Sequence, residues 1–326
     1  MAAQELRRRL GWVPGIPMAL PGGILDAIGN TPIVPLRKVV PPGSARILVK
    51  LEWANPTGSM KDRMARAVIE AAVRDGRLKP GDTVVEYTAG TTGIALAFVT
   101  AAMGYKLHVV FSDAFADEKR RTMKAFGAEV TDVKSRGTGI TETLIREMIE
   151  TSKRIAARPG HWWSDQLTNR DAIAGYYPLG EEIWKQTDGR VDAFVQAVGT
   201  AHSIHGATKT LREHGRKIHV TAVEPAESAV LSGGPTGSHQ IEGIGIGFVP
   251  PLWEPDQVDE IIPVPTDAAK AMARRLAREE GLFAGTSSGA NVVAALRVAE
   301  RLGPDATVVT LMVDSGLRYL STDLYR

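Results

Sequence analysis

The 326-residue chain contains no cysteine. That absence excludes disulfides, thiolate metal centres and a cysteine nucleophile. It accords with a reducing compartment without requiring one, since exported proteins can also lack cysteine. An excess of charge of one sign is also missing: 39 Lys and Arg against 37 Asp and Glu leave a formal net charge of +2. Basic residues cluster only briefly, as in Arg7-Arg8-Arg9 and Lys119-Arg120-Arg121, without interleaved aromatics, so no nucleic-acid partner is expected. No stretch approaches the roughly 18 apolar residues of a membrane span. The segment from Met1 to Pro21 is too interrupted by Pro and Gly for a signal sequence. A soluble, cytoplasmic protein is the expectation. No P-loop ending in G-K-S/T occurs, and Gly243-Ile244-Gly245-Ile246-Gly247 lacks the G-x-G-x-x-G spacing of a nicotinamide dehydrogenase.

What is present is an alternation of short apolar runs and helical patterns. With 44% hydrophobic and 23% charged residues the chain can bury a large core. Strands are predicted at Ile47–Trp53, Thr83–Tyr87, Leu107–Phe111, Ala128–Val133, Val191–Val198, Ile218–Val223 and Thr307–Val313. Helices are predicted at Met60–Arg74, Ile94–Met103, Asp117–Phe126, Thr141–Ala157, Ala172–Gln186, Ile204–His214, Thr266–Glu280 and Gly289–Leu302. Residues 1–30 read as an irregular arm, and Trp162-Trp163 as an aromatic loop. Such alternation implies an α/β fold with mostly parallel sheets covered by helices.

One stretch organises the rest. Asn55-Pro56-Thr57-Gly58-Ser59-Met60-Lys61-Asp62-Arg63 follows a strand and opens a helix, so Lys61 stands where backbone N–H groups are unpaired and favour an anion. That position suits an amine that bonds to a carbonyl beside a phosphate, although an ordinary lysine in a first helical turn has the same local pattern. Further loops follow strands. Thr88-Ala89-Gly90-Thr91-Thr92-Gly93 offers hydroxyls and close backbone approach; Gly199-Thr200-Ala201-His202-Ser203 has the form of a phosphate cradle. The Gly243–Gly247 stretch, inside a long Gly- and Pro-rich segment from Ser228 to Glu254, reads as a flap over a site. Gly285-Thr286-Ser287-Ser288-Gly289 opens the last helix; one serine is expected as its N-cap, leaving a second hydroxyl for a ring nitrogen. His202 and His205 lack the spacing with an acid that would suggest a metal site, and no metal is expected.

Taken in order, these stretches resemble the cysteine synthase (O-acetylserine sulfhydrylase) family of fold-type II pyridoxal-phosphate enzymes. The resemblance runs from Ile28-Gly29-Asn30-Thr31-Pro32 to Asp314-Ser315-Gly316-Leu317-Arg318-Tyr319-Leu320-Ser321-Thr322, and Ile241–Pro250 and Glu280–Gly289 carry it between. It implies two α/β lobes with the cofactor between them: a smaller, partly mobile lobe over 46–158, and a larger one from 1–45 and 159–326. It implies that pyridoxal phosphate forms a Schiff base with Lys61, which then moves protons. Thr88, Ala89, Gly90 and Thr92 would bind the substrate carboxylate together with Gln166, and Gly243 would lie close to the substrate. Thr91 would contact the cofactor, Gly199, Thr200, Ala201, His202 and Ser203 would hold its phosphate, and Ser287 would face its pyridine nitrogen. The implied reaction is β-replacement on an activated serine through an aminoacrylate, giving cysteine or a related amino acid in a homodimeric enzyme. Elimination to pyruvate, or a nucleophile other than sulfide, is the alternative, because this chain departs from the family at two loops. The family usually has Ser and Asn where Ala89 and Thr91 stand, and G-T-G-G-T where Gly199–Ser203 reads G-T-A-H-S.

Overall fold

The computed structural model describes residues 23–135, 137 and 140–326. The elements follow in chain order. They are β1 (Ile33–Pro35), β2 (Arg46–Leu51), α1 (Lys61–Arg74), β3 (Thr83–Tyr87), α2 (Thr91–Met103), β4 (Lys106–Ser112), α3 (Asp117–Ala125) and β5 (Glu129–Val133). Next come α4 (Glu142–Ala156), β6 (His161–Trp163), α5 (Asp171–Ala174), α6 (Tyr177–Gln186), β7 (Ala193–Ala197), α7 (His202–Glu213) and β8 (His219–Pro225). The last are β9 (Glu260–Val264), α8 (Thr266–Arg275), α9 (Thr286–Leu302) and β10 (Thr307–Met312).

Two sheets result. One has the order β1-β2-β10-β7-β8-β9 and the other β5-β4-β3-β6. All pairings are parallel except that of β1 with β2. Every residue of β7 and β10 is buried, which is why those strands appear in the sequence as largely apolar runs rather than as alternation; the polar Gln196 and Thr310 are buried with hydrogen-bond partners. The helix α2 is apolar all round and buried from Thr92 to Thr100, so it forms part of a core rather than a surface. The α/β class and the parallel sheets agree with the sequence reading. Sheet membership is offset from the 46–158 division at both ends, since β2 joins the six-stranded sheet and β6 the four-stranded one.

Several local expectations are corrected. Trp162 and Trp163 lie in a strand, because their backbone pairs with Val84 and Val85 of β3. Strands β1 and β9 escaped the sequence reading because each contains a proline, Pro35 or Pro263, and both sit at sheet edges where the missing N–H is tolerated. The helix expected over 172–186 is two helices. It breaks near Gly175, where an added Cβ would stand 2.7 Å from the Arg63 carbonyl oxygen. Of the arm expected over 1–30, only residues from Gly23 onward are described, with a 3-10 turn at Ile24–Ala27; the rest lies outside the described residues. No helix among the described residues is long and apolar enough to cross a membrane.

Candidate active site

Lys61 is the first residue of α1, and the nonapeptide around it is held on three sides. Arg63 reaches Glu52 at 2.7 Å and Glu182 at 2.8 Å, and Lys50 meets Glu182 at 2.7 Å. Lys50, Glu52 and Arg63 are buried and Glu182 is half-buried, so each ion pair satisfies a group that would otherwise be costly to desolvate. Asp62 turns back to accept from the Thr57 N–H at 2.7 Å; burial raises its pKa to about 6. On the third side Ser59 bridges to Asp314, with Met60 N–H donating to the Val313 carbonyl at 3.0 Å and Ser315 N–H to the Gly58 carbonyl at 3.1 Å. The backbone that presents Lys61 is therefore fixed by β2, α6 and the chain after β10.

The Lys61 side chain is 8% exposed and makes no hydrogen bond or ion pair among the described residues. Burial lowers its pKa from 10.5 to about 8, against a smaller opposing pull from Asp314. An amine in that state is a nucleophile near neutral pH, which an exposed helical lysine is not.

Lys61 faces a cleft of about 560 Å³ whose walls include Ala89, Thr91, Thr92, Gln166, Gly199, Thr200 and Gly243. Tyr87, Phe115, Ile140, Ile145, Ile244 and Ile246 make the rest of it apolar. The cleft lies at the carboxyl ends of parallel strands β2, β3 and β7, where α/β sheets place their ligands. Seven of the residues singled out by the sequence thus meet Lys61 at one surface.

The others stand behind it. Thr88 is fully buried, and its hydroxyl accepts from Gly90 N–H at 2.8 Å and Gly93 N–H at 2.9 Å, closing the start of α2. That cap is why α2 begins at Thr91, three residues earlier than the periodicity predicts. Gly90 has φ of 114° and packs on the stem of Lys119. Thr92 Oγ1 donates to Gln166 Oε1 at 3.0 Å, and Gln166 Nε2 donates to the Tyr87 carbonyl at 2.8 Å. Beneath Gln166, its N–H and the Ser164 hydroxyl donate to Glu86 at 2.9 and 2.7 Å; burial raises the Glu86 carboxyl to about 8.

The loop after β7 carries the tightest contact. A Cβ on Gly199 would come within 2.5 Å of the Gly243 carbonyl oxygen, so only glycine lets the two loops meet. Ala201 holds φ of 68°, a left-handed conformation rare for a residue with Cβ. It starts α7 with no side-chain cap, leaving the first N–H groups of that helix for an anion. Ser203 accepts a hydrogen bond from Gln196. His205 accepts from Glu254 N–H at 3.1 Å, a packing role.

At α9 the N-cap is Gly285, with no side-chain cap, so neither serine takes the position expected for one of them. Ser288 instead accepts from Val313 N–H at 2.9 Å, leaving the buried Ser287 hydroxyl without a partner among the described residues. Gly285–Gly289 does carry the spacing G-x-S-x-G. Ser287 lies inside a helix with no histidine bonded to it, so it lacks the general base of a serine hydrolase. No group of three or more His, Asp or Glu among the described residues could hold a metal ion.

The donor set fits pyridoxal phosphate: a buried free amine for an aldehyde, uncapped N–H groups beside a glycine approach for a phosphate, and a spare hydroxyl for a ring nitrogen. Sequence reasoning missed Asp314, Tyr319, Lys119 and Glu242 as parts of this assembly. Asp314 is buried, accepts from Tyr319 Oη at 2.8 Å and from Thr91 Oγ1 at 3.4 Å, and leaves Oδ1 unpartnered. Only its lying in a stretch shared with a known family pointed to it.

The profile of a family described as "Pyridoxal-phosphate dependent enzyme" matches residues 24–314. A cysteine synthase of Staphylococcus aureus is 43% identical over 304 residues, covering 93% of this chain and 96% of that protein. The crystal structure of a cysteine synthase from Entamoeba histolytica superposes with a TM-score of 0.88 at 39% identity, covering 96% of this chain and 93% of that one. A hydrogen sulfide-producing enzyme from Fusobacterium nucleatum superposes with a TM-score of 0.86 at 34% identity, covering 92% of this chain and 100% of that one.

Proposed function

The chain belongs to the pyridoxal-phosphate dependent enzymes, and within that family we propose that it replaces the β-substituent of an activated L-serine of the O-acetylserine kind by a small nucleophile such as sulfide. The observation that carries this is the buried, unpaired Lys61 amine, with its pKa near 8, facing a cleft walled by hydroxyls, an amide and close-approaching glycines. When bound, the cofactor supplies an aldehyde that captures amines and a ring that withdraws electrons from the substrate Cα. Lys61 Nζ then takes the Cα proton and later returns one. Ala89 and Thr92 hold the substrate carboxylate on a loop that Thr88 and Gly90 shape from behind, Gln166 is fixed against Thr92 to face it, and Gly243 closes over the substrate. Thr91 contacts the cofactor, Gly199 through Ser203 hold its phosphate, and Ser287 offers a neutral hydroxyl to its ring nitrogen. The apolar walls exclude water, which favours an added nucleophile over hydrolysis. A homodimer in the cytoplasm completes the proposal, with the smaller lobe moving over the cleft.

Ala89 and Thr91 favour one alternative: a shorter hydrogen-bonding reach at that loop could let the intermediate escape, making the chain an eliminating enzyme that releases pyruvate. Supplying O-acetylserine with sulfide and assaying cysteine against pyruvate separates the two. Cysteine as main product is expected; pyruvate as main product would sink the replacement reaction.

A further inference from the structure

The loop Gly199–Ser203 holds a residue that the chemistry above does not use. Ala201, in its left-handed conformation, places His202 as the first residue of α7. The His202 ring turns back over the loop, with Nδ1 2.9 Å from Thr200 Oγ1. The residue is 1% exposed, and Nε2 is buried with no hydrogen-bond partner among the described residues. Thr200, in contrast, lines the cleft.

Two protonation patterns are open to a neutral ring. Burial, then the Lys61 charge, then His205, push His202 well below the ordinary histidine range against a smaller opposing pull from the Gln166 backbone, so the doubly protonated ring is disfavoured. With its proton on Nε2, the ring has only a poorly formed contact with the Gln166 backbone, and Thr200 gives its hydroxyl proton to Nδ1. With its proton on Nδ1, the ring donates to Thr200 Oγ1, and the hydroxyl proton is free to point into the cleft. An anion there would accept it in a charge-assisted bond, stronger than a neutral one, and would select the second pattern over the first.

We propose that His202 is a positioning residue for the cofactor phosphate: its Nδ1–H donates to Thr200 Oγ1 and so aims the Thr200 hydroxyl proton at that phosphate. The inference rests on the cofactor assignment above and on Gly199–Ser203 as the cradle. His202 itself touches neither substrate nor cofactor in this role.

Titration of cofactor-free protein with pyridoxal phosphate, and in parallel with pyridoxal, which lacks the phosphate, tests it. Wild-type protein should bind the phosphorylated form more tightly. The variant His202→Ala should weaken pyridoxal phosphate roughly tenfold, the loss of about one charge-assisted hydrogen bond, and leave pyridoxal unchanged. His202→Asn, whose amide nitrogen can replace Nδ1, should recover most of that loss. In a Thr200→Val background, His202→Ala should cost nothing further. Equal weakening of both ligands, or an undiminished cost in the Thr200→Val background, would overturn the proposal. If the alanine variant does not fold, His202→Asn is compared with His202→Leu, and equal affinity of those two also overturns it. A wild-type protein that binds both forms equally would instead remove the cradle assignment on which the proposal stands.

Discussion

The Lys119 ammonium stands 2.5 Å from the Glu242 carboxylate and 4.5 Å above the Tyr319 ring. Lys119 is 1% exposed, and its stem fills the space beside Gly90 that any larger residue there would need. Glu242 directly precedes the cleft residue Gly243, and the Tyr319 hydroxyl donates to Asp314, the charged neighbour of Lys61. One buried cation thus joins the loop after β3, the segment before Gly243 and the chain beside the Lys61 amine.

Removing the carboxylate leaves that cation unpaired. Glu242→Gln should destabilise the protein by about 3–5 kcal/mol, the usual consequence of breaking a buried pair. Lys119→Met added to it should restore part of the loss, because an apolar side chain needs no counter-ion. Denaturant unfolding of the single and double variants measures this. A double variant no more stable than Glu242→Gln would show that packing, rather than the unpaired charge, sets the cost.

Two buried groups impose opposite pH slopes on the cofactor-free protein. Glu86 has its pKa raised from 4.5 to about 8, so the folded state binds the extra proton and stability falls as pH rises through that window. Lys61 has its pKa lowered from 10.5 to about 8, so the unfolded state binds the extra proton and stability rises between pH 8 and 10.5. Below pH 8 the buried Lys61 charge costs up to about 3 kcal/mol. Glu86→Gln should flatten the fall below pH 8, and Lys61→Met the rise above it. Unfolding free energies measured from pH 5 to about 10.5 check each slope separately.

Gly199 and Gly243 touch where neither loop has a side chain. Gly199→Ala would force a Cβ to within 2.5 Å of the Gly243 carbonyl and must displace one loop. A cost of about 1–3 kcal/mol in stability is expected from such overpacking, together with weaker pyridoxal phosphate binding. A thermal melt paired with a cofactor titration reads both effects, and unchanged cofactor affinity would argue against the loop as a cradle.

Thr91 reaches Asp314 at 3.4 Å, a long contact for a hydroxyl. Thr91→Asn extends the side chain and adds an amide donor toward the cleft. KM for O-acetylserine should fall by about tenfold, the worth of roughly one hydrogen bond, and the ratio of cysteine to pyruvate should rise. Steady-state kinetics with both products assayed decides it.

The strand at Thr83–Tyr87 and the helix at Lys61–Arg74 were legible in the sequence nearly to the residue, because a buried strand leaves a short, mostly apolar run and an amphipathic helix a local period. Lys61 itself was legible as a candidate from its place between a strand and a helix, and the glycine loops as candidates from their place after strands. The short strand at His161–Trp163 and the proline-bearing edges were not, since each owes its conformation to a partner strand rather than to its own residues.

By itself the sequence determined the α/β alternation, the lysine and the small-residue loops, all of which depend on neighbours a few positions away. Only the tertiary structure decided that Thr88 caps α2 rather than lining the cleft, that Ser288 rather than Ser287 is tied to Val313, and that Lys119 pairs with Glu242. Those choices depend on which hydrogen-bond partner or counter-ion is brought near by packing, across as many as 123 positions for the last pair. Burial settled the state of Lys61 in the same way. Its pKa is lowered because the fold removes the amine from water, and desolvation is a property of the surroundings that no local pattern encodes.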